Sequence, residues 1–88
     1  MEVKDLRCFI AVYEANGFAR AAEGLHATQS SVSGRIRKLE EELGGPLFQR
    51  LHRSIAPTPK GETAYRYAKG VIAKADIAVK AIRGEKAA

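Results

Sequence analysis

From Thr28 to Lys38 the chain reads Thr-Gln-Ser-Ser-Val-Ser-Gly-Arg-Ile-Arg-Lys, small hydrogen-bonding side chains followed by cations. On a helix, Val32, Ile36, Leu39 and Leu43 recur by four, three and four and form one apolar stripe. The opposite pole carries Ser30, Ser33, Gly34 and Arg37, with Ser31 and Lys38 at its edge. The chemistry such a surface offers is hydrogen bonding and charge pairing. A thin, donor-rich helix face enters a DNA major groove without steric conflict and reaches base edges and phosphates. Gly34 sharpens this reading, because glycine inside a helix costs about 1 kcal/mol relative to alanine. It lies opposite the packing stripe, so close approach of a partner accounts for it better than packing does. A second basic cluster, Arg50, His52 and Arg53, follows within Phe48–Ala56. Bond-making chemistry has no comparable set. His26, His52 and the single cysteine, Cys8, fall in separate elements, and no ligand spacing for a metal occurs. The chain therefore reads as a non-enzyme without metal or cofactor, and Cys8 as a partly buried small apolar residue.

The elements that must position these groups are legible on either side. Thr28 stands at an N-cap; with Ser at 31 in place of Glu or Gln, no full capping box forms. Gly44-Gly45-Pro46 ends the helix. The preceding short helix places Phe18, Ala21, Ala22 and Leu25 on one stripe, its small alanines letting two axes approach closely. Only His26 and Ala27 separate it from the cap, which is helix-turn-helix spacing. A first helix over residues 3–15 is predicted from Leu6, Phe9, Ile10 and Tyr13, with Glu2 and Asp5 complementing its dipole. After the helix pair, Leu47 and Phe48 are expected to be buried. Phe48–Arg50 and Ser54–Ala56 read as two short strands around a tip of Leu51-His52-Arg53. An arginine on so thin a loop reaches a narrow minor groove, where negative potential is strongest.

Thr58 and Pro59 open a last helix that runs to about Arg83. Ala64, Ala68, Val71, Ala75, Ala78 and Ile82 form a heptad seam on it, flanked by Tyr65, Ile72 and Val79. A helix of about 25 residues spans about 38 Å. So small a domain cannot cover that length, and self-association through this seam is expected. The segment divides into a DNA-binding unit over 1–57, a dimerisation helix over 58–83 and a patternless, mobile tail over 84–88.

Eighty-eight residues suffice for one small domain, and 15 Lys and Arg against 10 Asp and Glu leave a formal charge of +5. That balance favours an anionic partner. A lone cysteine fits a reducing compartment. Charges interrupt every apolar run, so neither a signal peptide nor a membrane span is expected, and the location read from this is the cytoplasm.

Order, spacing and residue types together resemble the N-terminal DNA-binding domain of LysR-type transcriptional regulators. The resemblance rests on Leu6 with Phe9, and on Phe18 with Ala21-Ala22 and Leu25. It continues through Thr28-Gln29-Ser30, Val32-Ser33, Ile36, Leu39-Glu40, Leu43-Gly44, Leu47-Phe48, Arg50, Arg53, and Thr58 with Gly61. It implies a mainly α, winged helix-turn-helix fold: a three-helix core, a short two-stranded wing and a long C-terminal linker helix. It also implies a homodimer through that helix, bound to interrupted palindromes in double-stranded promoter DNA. Gln29, Ser30, Ser33 and Gly34 match positions facing the major groove, and Arg53 matches the wing residue that enters the minor groove. Thr28, Ser31, Lys38, Arg50 and His52 are expected at phosphates or the wing, and Arg37 at base edges. A small-molecule inducer would act only through a C-terminal domain outside this chain. Three positions depart from the family pattern: Gly17 replaces a serine, Ser30 a common proline, and Gly34 a long polar side chain. At 34, readout then falls to Ser33, Arg37 or the wing.

Two other classes fit less of the chain. A dimerisation module with an incidental basic surface would be indifferent to loss of the wing arginines. A membrane-surface helix would need an apolar face with Trp or Phe, which the alanine-rich seam lacks. RNA recognition by stacking would need an aromatic platform.

Overall fold

The computed structural model describes residues 1–85. Four helices and a hairpin follow in the order α1 (Val3–Ala15), α2 (Phe18–Leu25), α3 (Gln29–Leu43), β1 (Phe48–Leu51), β2 (Ser54–Pro57) and α4 (Pro59–Arg83). This is the winged helix-turn-helix with a long last helix that the spacing implied. Backbone chemistry sets each boundary. Thr28 and Thr58 cap α3 and α4, their hydroxyls accepting from Ser31 N–H at 3.1 Å and Gly61 N–H at 3.0 Å. Asn16, His26, Gly44 and Gly84 end the four helices in the left-handed region, at φ of 55°, 54°, 85° and 78°. There the N–H groups of Gly17, Ala27, Gly45 and Glu85 turn back onto the carbonyls of Val12, Ala22, Glu40 and Lys80. His26 is thus a turn residue. Gly84 and Glu85 close the last helix, and residues 86–88 of the expected tail lie outside the described residues.

Phe9, Val12, Val32, Ile36, Leu39 and Leu47 form the centre of the core, joined by Phe18, Ala21, Ala22, Phe48, Ile55 and Ala68. Phe48 packs against both Phe9 and Phe18, ring centroids 5.4 and 6.0 Å apart, and so fastens the wing to the helices.

Several expectations need correcting. The buried side of α1 is centred on Leu6, Phe9 and Val12 with Cys8, while Ile10 and Tyr13 are only half-buried. The helix is packed against α2 and α3 on one flank and α4 on the other, so its buried surface is wider than one stripe. Cys8 is fully rather than partly buried, and burial pushes its thiol above the usual value. Leu25, the last residue of α2, is 39% exposed, at the edge of a groove it shares with residues of α1 and α3. The hairpin has a two-residue tip, His52-Arg53, since Leu51 pairs with Ser54. Arg53 sits there at φ 68°, the second-position geometry of a type II turn that glycine or asparagine normally fills.

The seam of α4 is divided. Ala68 is buried inside the chain, and Ala64, Tyr65 and Ile72 pack half-buried against the same core. Those four thus pack in part against their own chain, and Ala64 and Ala68 also line an open apolar groove with Tyr67 and Val71. The physical reason is that α4 lies along α1 for its first half, which uses one edge of the stripe. Val71, Ala78, Val79 and Ile82 remain exposed, with Ala75 at the boundary.

Asp5 is a buried carboxylate, 3% exposed. Burial raises its pKa, but the Glu2 N–H, the Lys38 charge and the Arg35 guanidinium together outweigh that and hold it below its ordinary 3.8. A depressed folded-state pKa means stability that is complete above the unfolded value and lost as pH falls through the folded one. Denaturant titrations should therefore show stability falling with acid from about pH 3.8 downward, less steeply in Asp5→Asn. Parallel acid limbs in the two proteins would contradict the assignment.

Candidate nucleic-acid interface

The two sides of α3 differ completely. Val32, Ile36 and Leu39 are sealed in the core, while Gln29, Ser30, Ser31, Gly34, Arg37 and Lys38 are exposed and Ser33 is half-exposed. A Cβ added at Gly34 would meet nothing within 4 Å, so the chain's own packing makes no demand for glycine there. Arg35 and Arg37, two residues apart, point apart by about 200° of helix rotation. Arg35 turns inward and donates to Asp5 Oδ1 at 3.3 Å, which keys α3 to the start of α1. Arg37 remains on the open side.

The wing is held beside this face by four contacts. The guanidinium of Arg50 lies 4.7 Å from the Phe18 ring centroid, stacking β1 on the first residue of α2. Glu40 Oε2 accepts the Leu47 N–H at 2.8 Å, tying α3 to the approach of β1. Thr58 donates from its hydroxyl to the Pro46 carbonyl at 2.7 Å, and its N–H to the Leu47 carbonyl at 3.0 Å, fixing the far end of the hairpin.

Arg50 is the hinge between two clefts. One is shared with Gln29, Phe18, Arg20 and Arg53, the other with Ser33, Arg37, Phe48 and Glu40. Gln29, Ser33, Arg37, Arg50 and Arg53 therefore share one side of the molecule. Ser30, Gly34 and Lys38 are exposed along the same helix, and His52 is exposed at the wing tip. Ser31 is placed elsewhere, in a groove with Lys4, Arg7, Leu25 and Arg35. The Thr28 hydroxyl is engaged in the α3 cap.

Two contributors escaped the sequence reading. Arg20 lines the same cleft as Gln29 and Arg53. A single cation on a short helix reads as a solvated residue, so nothing marked it. Glu40 carried a signal: it follows Ile36 by four and so puts a carboxylate beside the apolar stripe, where it needs a donor. Among the described residues no helix is long and apolar enough to cross a membrane, and no His, Cys, Asp and Glu cluster could hold a metal ion.

The family model described as bacterial regulatory helix-turn-helix protein, lysR family, matches residues 3–62. The HTH-type transcriptional regulator BudR of Klebsiella aerogenes is 43% identical over 84 residues, 96% of this chain. The chain spans 59% of the length of that relative. Two solved structures superpose closely. The BenM DNA-binding domain in complex with catB site 1 DNA has a TM-score of 0.90 at 38% identity, covering 94% of this chain and 92% of that one. The CbnR DNA-binding domain in complex with DNA has 0.91 at 34% identity, covering 96% and 97%.

Proposed function

The chain belongs to the lysR family of bacterial regulatory helix-turn-helix proteins, and from that premise we propose that it binds double-stranded promoter DNA sequence-specifically, as a two-fold dimer on an interrupted palindrome. The reading rests on one observation above the others: α3 carries a bare, polar and basic side directly opposite a sealed apolar stripe, with the Arg50–Arg53 wing alongside. Two similar solved structures, of BenM and CbnR domains, are complexes with DNA, which supports it. In this reading α3 enters the major groove. Gln29, Ser30, Ser33 and Arg37 reach base edges, and Gly34 lets the helix backbone close in. Arg53 at the wing tip enters the minor groove, while Arg50, His52, Lys38 and Arg20 neutralise phosphates. The protein acts in the cytoplasm, and any small-molecule inducer works through a domain beyond this chain.

The second protomer docks on the side of α4 that its own α1 leaves free. Tyr67, Val71, Ala75 and Ala78 line one shallow apolar groove there, and Ile82 is 85% exposed beyond it. Replacing Val71 and Ile82 together by glutamate is expected to give monomers in sedimentation with the fold retained. An unchanged dimer would remove this helix from the interface.

Selection from a random duplex pool tests the whole reading. The expected product is a dyad-symmetric consensus with two half-sites about one helical turn apart or a multiple of it. A pool that enriches no sequence would reject DNA recognition, and an enriched but asymmetric site would reject the two-fold arrangement.

A further inference from the structure

At the edge of the core, α4 carries a set of contacts to α1. Tyr65 stacks face to face on Tyr13 of α1, ring centroids 3.8 Å apart and planes 6° from parallel. The Tyr65 hydroxyl donates to Glu14 Oε2 at 2.6 Å, and Lys69 Nζ donates to the same oxygen at 3.3 Å. Further along, Arg7 Nη2 donates to Asp76 Oδ1 at 2.9 Å. These links all join α1 to α4. Beyond Asp76 every described residue of α4 is exposed.

The helix is therefore a lever. Its last contact with the core is Ile72, and its arm runs on to the exposed Ile82. Ten residues of helix make an arm of about 15 Å. Tilting it by about 15° would move its end by about 4 Å, close to the about 3.4 Å rise of one base pair. Small-residue packing at Ala64 and Ala68 resists such tilting weakly, since an alanine brings a single methyl group to the contact. The two-point attachment at Tyr65 and Asp76 does resist it, because it grips α1 on both sides of the turn that faces the core. Isolated surface ion pairs hold little by themselves; the stacked tyrosine pair, carrying a shared carboxylate, is the stiff part.

We infer that the Tyr13–Tyr65 stack, with Glu14 and Lys69, is a spacing gauge that sets the angle of α4 to the recognition helix and so the half-site separation the dimer prefers. This rests on the two-fold reading given above. Tyr65 is a positioning residue: it touches no DNA and acts through the direction of α4.

The test uses the selected duplex and derivatives with its spacer lengthened or shortened by one and two base pairs, together with a single half-site duplex. Binding is measured for the parent protein, Tyr65→Leu, Tyr65→Phe and Glu14→Gln. The parent is expected to prefer one spacer by tenfold or more. Tyr65→Leu should lose most of that preference while binding the single half-site within twofold of the parent. Tyr65→Phe, which keeps the stack, and Glu14→Gln should lie between. Spin labels on α2 and at the end of α4 give a readout independent of DNA, and the distance distribution should broaden in Tyr65→Leu. A parent that discriminates spacers, with variants that match it in optimum and steepness, overturns the gauge alone. An unchanged distance distribution does the same. A parent indifferent to spacer overturns the two-fold reading and the gauge together. If Tyr65→Leu fails to fold, the Phe and Gln variants still decide the matter.

Discussion

Gly61→Ala is expected to destabilise the fold by about 3 kcal/mol, a fall in melting temperature of about 12–24 °C for a domain of this size. A Cβ at Gly61 would stand 2.0 Å from the Leu47 carbonyl oxygen and 3.0 Å from the carbonyl carbon. Both atoms are backbone, and Leu47 is itself fully buried, so neither can yield cheaply. That same oxygen accepts the Thr58 N–H, and Gly61 donates its own N–H to the Thr58 cap. The first turn of α4 is pressed against the start of the wing, and only a residue without a side chain fits. Gly34→Ala is the natural comparison. Open space surrounds that position, so the helix should gain up to about 1 kcal/mol there. Thermal melts of the two variants should move in opposite directions. A Gly61→Ala protein that melts within about 3 °C of the parent would mean that the close approach to Leu47 is relaxed in solution.

The affinity for the selected duplex is expected to fall by about 10⁴ between 50 and 200 mM salt. On the two-fold arrangement proposed above, about eight phosphate contacts per dimer would each release condensed counterions on binding. Arg20, Arg50 and Arg53 line one cleft, and Arg37 and Lys38 are exposed on α3, so each protomer has the cations for it. Removing one phosphate-bound cation per protomer should reduce the steepness of the log–log plot by about 2 per dimer, for two phosphates lost. Arg50→Ala should show that change on every sequence. Arg37→Ala should instead alter which base is preferred at one position, at a cost of about 1–3 kcal/mol against the right base. Equal losses on all sequences would reassign Arg37 to the backbone. A shallow salt dependence in the parent would show that charge is not the main source of affinity.

How legible a feature is in the sequence depends on how local it is. The caps at Thr28 and Thr58 and the stop at Gly44 are settled within one helical turn, and they stand where the residue types require. The apolar stripe of α3 was equally plain, because that helix is buried on one side only. Packing around α1 and α4 was not. Each helix is shared between neighbours, and its buried arc depends on where those neighbours cross. That is why Val12 rather than Tyr13 is at the centre of α1, and why Ala68 and Tyr65 also pack against α1 and the core of their own chain. Leu25 shares the stripe of Phe18, Ala21 and Ala22 by spacing, yet it lies at the edge of a groove between α1 and α3 and is only partly covered.

By itself, then, the order of residues determined the elements, the helix ends and the polar side of the helix opening at Gln29. Those follow from backbone hydrogen bonding and side-chain periodicity, which act over a few residues. Only the folded chain decided that Arg35 turns to Asp5 while Arg37 stays free, that Arg50 rests on Phe18 between two clefts, and that Gly61 must be bare beneath Leu47. Such choices depend on which atoms distant segments bring within a few ångströms of one another, and no local pattern carries that information.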